Sequence, residues 1–141
     1  MSERFSWPIR VYIEDTDAGG IVYYVNYLKF MERARTEFLR SFGYDRHFIF
    51  NADLMFVVHS IRCDYVKPAR LDDQLAATVR VTQFGKTFLT MEQNIYNQHS
   101  EELLCRGEVK IACVDRATIK PKRIPTEMLN ALSSESSPAG K

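Results

Sequence analysis

Val22-Tyr23-Tyr24-Val25-Asn26-Tyr27-Leu28-Lys29-Phe30-Met31-Glu32-Arg33-Ala34-Arg35-Thr36-Glu37-Phe38-Leu39-Arg40-Ser41-Phe42 is the stretch on which the fold turns. Tyr24, Tyr27, Leu28, Met31, Ala34, Phe38, Leu39 and Phe42 recur mostly at steps of three and four. Lys29, Glu32, Arg33, Arg35, Glu37 and Arg40 fill much of the remainder. That period marks one long amphipathic helix with a broad apolar stripe. Gly43 suits its C-terminal stop. Some 20 residues rising 1.5 Å each make a rod of roughly 30 Å. A rod of that length needs a wide apolar partner surface, and a curved sheet provides one.

The flanks supply that sheet. Before the helix, Ile9, Val11 and Ile13 alternate with Arg10 and Tyr12, which reads as a strand over residues 9–13. After it, residues 44–52 read as a loop with a short helical turn. Four β-rich runs follow, over residues 54–66, 75–84, 87–96 and 103–114. They are parted by Lys67-Pro68-Ala69-Arg70, Gly85-Lys86 and Asn97-Gln98-His99-Ser100, as in antiparallel meanders with short loops. Residues 121–132 end in a short helix. With strands and helix segregated, the class is α+β: a long helix wrapped by a five-stranded antiparallel sheet. One domain is expected over residues 1–132, with a polar, small-residue tail over 133–141 that reads as disordered. One helix covers one face only, and long strands leave exposed edges, so a homo-oligomer is expected.

Composition narrows the function by exclusion. The chain has 141 residues, is 45% hydrophobic and 26% charged, and carries a net charge of +1. It has no basic run beyond the short Lys120-Pro121-Lys122-Arg123, hence no electrostatic case for nucleic acid. No apolar run approaches a membrane span, and the N-terminus lacks an apolar signal core. The three cysteines, Cys63, Cys105 and Cys113, form no C-x-x-C pair, which argues against a disulfide framework or a zinc site. Cys63 and Cys113 sit in apolar stretches and read as small buried hydrophobes, in a reducing compartment, the cytoplasm. His47, His59 and His99 lack ligand spacing, so no metal and no cofactor is expected.

The chemistry is concentrated between the first strand and the helix, in Glu14-Asp15-Thr16-Asp17-Ala18-Gly19-Gly20-Ile21-Val22-Tyr23-Tyr24. Three carboxylates fall within four residues, and two glycines allow a close backbone approach. The helix start that follows offers unpaired N–H groups and a positive dipole end. A carboxylate beside such a site fits a reaction in which a carbonyl oxygen turns negative. On local pattern alone, Asp17 reads as either a helix cap or a reacting group. Asp15 reads as a loop carboxylate accepting backbone N–H bonds, and Glu14 as a solvated acid.

Asp15-Thr16-Asp17-Ala18-Gly19-Gly20-Ile21-Val22-Tyr23-Tyr24, with Asn26-Tyr27 and Phe30-Met31-Glu32-Arg33-Ala34-Arg35, resembles the acyl-CoA thioesterases of the 4-hydroxybenzoyl-CoA thioesterase group, which have the hotdog fold. Within that group it is most similar to the YbgC-type enzymes associated with the Tol–Pal envelope system. Trp7-Pro8-Ile9-Arg10-Val11-Tyr12, the run from Tyr65 to Asp73, Val114-Asp115 and Lys120-Pro121 extend the likeness over roughly residues 7–130. The resemblance implies a thioesterase acting on acyl-CoA or on an acyl carrier protein, as a homotetramer. It puts the catalytic carboxylate at Asp17, as nucleophile or as general base for water. It puts the oxyanion donor, a backbone N–H, at or beside Tyr24. Many YbgC-type members carry His at the position of Tyr24, whereas the hydroxybenzoyl enzymes carry Tyr. Gly20, Tyr23, Glu32, Lys86 and Thr87 are the candidate substrate contacts, with Lys67 and Arg70 as further cations for the CoA phosphates; Glu32 reads more readily as a helix acid solvated or paired with Arg33 or Arg35, Tyr23 equally as a packing residue and Lys86 equally as a plain hairpin lysine. Two other functions fit the pattern less well: a non-catalytic acyl-binding module, which needs no carboxylate beside the thioester, and a hotdog dehydratase, which usually pairs an acid with a His.

Overall fold

The computed structural model describes residues 5–43 and 53–136, with side chains described as far as residue 133. The loop expected over 44–52, His47, and residues 137–141 of the expected tail lie outside the described residues. The elements in order are β1 (Phe5–Arg10), a single 3-10 turn (Ile13–Asp15), α1 (Asn26–Arg40), β2 (Leu54–Tyr65), β3 (Gln74–Phe84), β4 (Phe88–Asn97), β5 (Leu103–Asp115) and α2 (Thr126–Ser136). The strands form one sheet in the order β1-β3-β4-β5-β2, with every neighbouring pair antiparallel. This is the expected α+β arrangement. The last four strands begin and end within one residue of their expected limits.

The first strand and the helix start differ from the sequence pattern, each for a local reason. Pairing carries on through Val11, whose N–H donates to Asp73 O at 2.9 Å. It then stops, because the Asp15 carboxylate accepts the Tyr12 N–H at 2.8 Å and turns the chain into the 3-10 turn. A side chain bonding its own backbone competes with a ladder in this way. The helix begins at Asn26 rather than Val22. Val22 N–H donates to Ala69 O and Tyr23 N–H to Asp15 O, both at 2.9 Å, so those residues are held in extended tertiary pairing. Tyr24 therefore lies outside the helix and is exposed rather than on its buried stripe. At the other end Gly43 adopts φ +94°, the left-handed stop that glycine favours.

The core lies between α1 and the sheet. Phe30, Met31, Ala34, Phe38 and Leu39 of α1 are buried with Leu75, Ala77, Val79, Leu89, Met91, Val109 and Ile111. Gly107 of β5 permits the close approach, since a Cβ there would meet Met31 Cε at 2.5 Å. Arg35, read from the pattern as part of the polar face, is instead 3% exposed. Its Nη1 donates to Gln93 Oε1, and Gln93 Nε2 donates to Met31 O, both at 2.9 Å. Burial lowers the Arg35 pKa, with Glu32 opposing. α2 adds Met128 and Leu132 to the core and continues through residues 133–136, past the expected domain limit.

Candidate active site

The acidic segment folds as a small hairpin docked at one end of the sheet. Thr16 pairs with Val22, and Asp17 N–H donates to Ile21 O at 3.0 Å. Gly20 N–H returns to Asp17 O at 3.1 Å, closing a tight turn. Gly20 has φ +82°, where a side chain is strained, so the glycine is required by the turn itself. Asp17 Oδ1 accepts the Gly19 N–H at 2.9 Å. Its other oxygen accepts no hydrogen bond among the described residues, and the side chain is exposed. Asp17 therefore caps its own turn rather than the helix, and one of its oxygens stays unengaged among the described residues.

Asp15 anchors this hairpin. Its carboxylate bonds Tyr12 N–H, and its carbonyl accepts both Tyr23 N–H and Asn26 Nδ2, each at 2.9 Å. Asp15 is buried, as a scaffold carboxylate should be, whereas Glu14 is exposed. A second strap comes from the loop before β3. Ile21 pairs with Arg70, and Leu71 N–H donates to Gly20 O at 3.3 Å. Tyr27 Oη accepts the buried Ala69 N–H at 2.9 Å. Burial raises the Tyr27 pKa, and the Ala69 bond opposes the rise.

The mouth of α1 opens onto this hairpin. The N–H groups of Asn26, Tyr27 and Leu28 are used in short bonds to the carbonyls of Tyr23, Tyr24 and Val25. The Tyr24 and Val25 N–H groups have no hydrogen bond among the described residues. They are the orphan donors that a helix start leaves, at the positive end of its dipole. Aromatic rings wall the mouth: Tyr23 to Tyr24 at 5.1 Å, Tyr24 to Tyr65 at 5.8 Å and Tyr65 to Tyr27 at 5.5 Å. Burial, and then the neighbouring Cys63, push the Tyr65 phenol up to about 12.

The other expected contacts are not gathered here within one chain. Lys86 and Thr87 form the turn between β3 and β4, at the opposite end of the sheet. The eleven residues of β3 separate that turn from the hairpin, roughly 35 Å of strand. Lys86 is exposed, while its carbonyl accepts Ile124 N–H and the Thr87 carbonyl accepts Cys113 N–H. Glu32 lies on the outer face of α1, lining a cavity of about 400 Å³ with Lys29, Arg33, Thr36 and Glu37. Lys67 is held by Glu102 at 2.6 Å, an ion pair that keeps the Glu102 carboxyl below its usual range. Arg70 is the cation brought beside the hairpin, opposite Ile21. Asn26 and Tyr65 fall in segments that carry the family likeness, but nothing in their local pattern marks them as site residues. Their partners are Asp15 and Tyr24, and only the folded chain brings them together.

The profile described as "Thioesterase-like superfamily" matches residues 11–132. The chain is 42% identical over 125 residues to the acyl-CoA thioester hydrolase YbgC of Escherichia coli O6:H1, covering 89% of this chain and 92% of that one. It is 41% identical over 129 residues to the acyl-CoA thioesterase YbgC of Haemophilus influenzae, covering 91% and 93%. The crystal structure of a probable thioesterase from Bartonella henselae matches with TM-score 0.75 and 34% identity, over 86% of this chain and 98% of that chain.

Proposed function

The chain belongs to the thioesterase-like superfamily, and from that premise we propose that it is an acyl-CoA thioesterase, cleaving a thioester with water to a free acid and CoA. The observation that carries the reading is the pair of unengaged Tyr24 and Val25 N–H groups at the mouth of α1, in the segment that leads there from Asp17, one of whose carboxylate oxygens is also unengaged among the described residues. In this reading Asp17 attacks the carbonyl carbon to form a mixed anhydride that water opens, or it takes a proton from an attacking water. In both routes the carbonyl oxygen gains negative charge, and the Tyr24 N–H with the helix dipole stabilises it. The CoA sulfur then leaves as thiolate and is protonated. Gly20 and Tyr23 border the acyl group in this arrangement. The names of the two YbgC relatives support acyl-CoA as the donor; a cytoplasmic, Tol–Pal-associated setting belongs to the reading by sequence resemblance alone.

A homo-oligomer, a tetramer by resemblance, completes the reading. β2 is a 12-residue strand at the sheet edge with largely exposed residues, and such edges invite pairing. An antiparallel pairing of two β2 edges sets the ends of the two sheets in opposition. The Lys86-Thr87 turn of one copy then approaches the acidic hairpin of the other, where it meets the CoA phosphates.

Asp17→Asn tests the chemistry, with thiol release followed over short, long and aromatic acyl-CoAs and CoA binding measured alongside. Loss of one reacting or stabilising group costs kcat on the order of 100-fold or more, with binding retained. Full activity in Asp17→Asn removes Asp17 from the mechanism. Tight acyl-CoA binding without thiol release by the unmodified chain replaces the enzyme with a binding module.

A further inference from the structure

Behind the aromatic wall lie two thiols that the proposed hydrolysis does not use. Cys63 and Cys105 come from the adjacent antiparallel strands β2 and β5, and their sulfurs are 3.5 Å apart. Cys63 is half-buried and Cys105 fully buried. They do not face each other directly. Cys63 stands opposite Gly107, and Cys105 stands opposite Tyr65. The two sulfurs meet along the diagonal of the pair, while the space beside Gly107 is taken by Met31. Tyr65 follows Cys63 by two residues, on the same face of β2, and the Tyr65 ring is the one in contact with Tyr24 and Tyr27.

We propose that Cys63 and Cys105 are a reversible redox modification site, which a peroxide closes to a disulfide and which moves Tyr65 within the aromatic wall of the site. The bond needs the sulfurs to approach from 3.5 Å to about 2.05 Å. Two features bear on that movement. The β2–β5 register is irregular between Val58 and Ser60, so the ladder that holds Cys63 against β5 is interrupted a few residues upstream. A diagonal pair also starts farther apart than a directly opposed one, which leaves the bond strained and readily reduced.

The chemistry assigns unequal roles. The hydrogen bond shared with Cys105 brings the Cys63 thiol down to about 7, with burial opposing and Tyr65 assisting. The same shared bond, and then burial, raise Cys105. The Cys63 thiolate attacks one peroxide oxygen, the O–O bond breaks, and the departing hydroxide takes a proton to become water. Cys63 is then a sulfenic acid. Cys105 gives up its proton, its sulfur bonds the Cys63 sulfur, and the S–O bond breaks to release a second water. Two thiols and one peroxide yield one disulfide and two waters. Cys113 is the internal control: burial pushes it up to about 11, and its sulfur lies near Arg123 O rather than another thiol.

The full chain is reduced, exposed to hydrogen peroxide, alkylated under denaturing conditions and digested for mass spectrometry. The expected product is an intrachain peptide linked through Cys63 and Cys105, two hydrogens lighter, with Cys113 alkylated and the link reversed by dithiothreitol. Cys63→Ser loses the link while keeping its fold. A sulfenic or sulfinic acid at Cys63 without the link overturns the proposal, as does a link between chains or one through Cys113. A second arm rests on the thioesterase reading and compares kcat/KM before oxidation, after it and after reduction. A pocket wall displaced by about 1 Å lowers activity by roughly ten- to 100-fold, and Cys63→Ser is indifferent to peroxide. An unchanged kcat/KM in fully linked protein overturns the coupling to Tyr65. The peptide mass does not depend on turnover, so failure of the hydrolysis reading leaves the first arm intact.

Discussion

Where β1 ends and β3 begins, the acidic hairpin is held by side chains: Asp15 to Tyr12, Asn26 to Asp15, Tyr27 to Ala69, and Asp17 to its own turn. Across the length of β3, the Lys86-Thr87 turn is held by backbone bonds, Gly85 N–H to Phe88 O and the acceptor carbonyls of Lys86 and Thr87, and the Lys86 side chain is exposed. The first end spends its polar side chains on fixing backbone and leaves one Asp17 oxygen and two N–H groups over. The second spends backbone and leaves a cation over. Groups left unengaged on a rigid frame are where chemistry is available, because a ligand need not displace an existing bond. In the proposed mechanism the hairpin end carries the reaction and the turn end the recruitment of CoA.

The strongest way to break that contrast, after Asp17→Asn, is Tyr27→Phe. It keeps the ring beside Tyr65 and removes the acceptor of the buried Ala69 N–H. A buried donor left unsatisfied costs about 1–3 kcal/mol. Thermal unfolding is expected several degrees lower, with kcat reduced as the 69–71 strap loosens. An unchanged Tm means the strap is held by Val22 and Leu71 alone, and the hairpin end is then less dependent on side chains than its geometry suggests.

Asn26→Ala is the next step down. It removes the Nδ2 bond to Asp15 O, which also keeps the Tyr23 N–H. Loss of one such bond costs about 1 kcal/mol. The expected outcome is a kcat several-fold lower with KM little changed, because Asn26 sets the distance between hairpin and helix without touching substrate. A KM that rises with kcat unchanged makes Asn26 a binding residue instead.

The same contrast explains what could be read in advance. The helix interior was legible because its stripe repeats every three to four residues, and β2 to β5 because their runs stop at Pro, Gly and Asn. The helix start was not, because Val22 and Tyr23 are taken by Ala69 and Asp15 through the folded chain. The burial of Arg35 was not legible from its place among the polar positions of the helix, because its acceptor, Gln93, stands 58 residues away. In the hairpin, Asp17 stood out from its neighbours only through a long motif, since three nearby acids look alike by local pattern. The Cys63–Cys105 proximity crosses 42 residues and left no spacing signal at all.

Lys86→Ala is the smallest change and the one that sharpens the comparison most. The side chain is exposed and has no ion pair among the described residues, so stability is expected to move by less than about 0.5 kcal/mol. If Lys86 meets a CoA phosphate in an exposed ion pair worth about 0.5–1 kcal/mol, KM rises roughly two- to five-fold and kcat holds. Since β3 holds Lys86 far from Asp17 in its own chain, that effect requires a second copy. Mixing Lys86→Ala with Asp17→Asn chains then tests the route directly. A mixed dimer carries one site with both the acid and the partner's intact lysine, and another that lacks both. Recovery of unmodified KM in the mixture supports contact across the interface. A KM that stays raised in the mixture confines Lys86 to its own chain and makes the turn end a plain link.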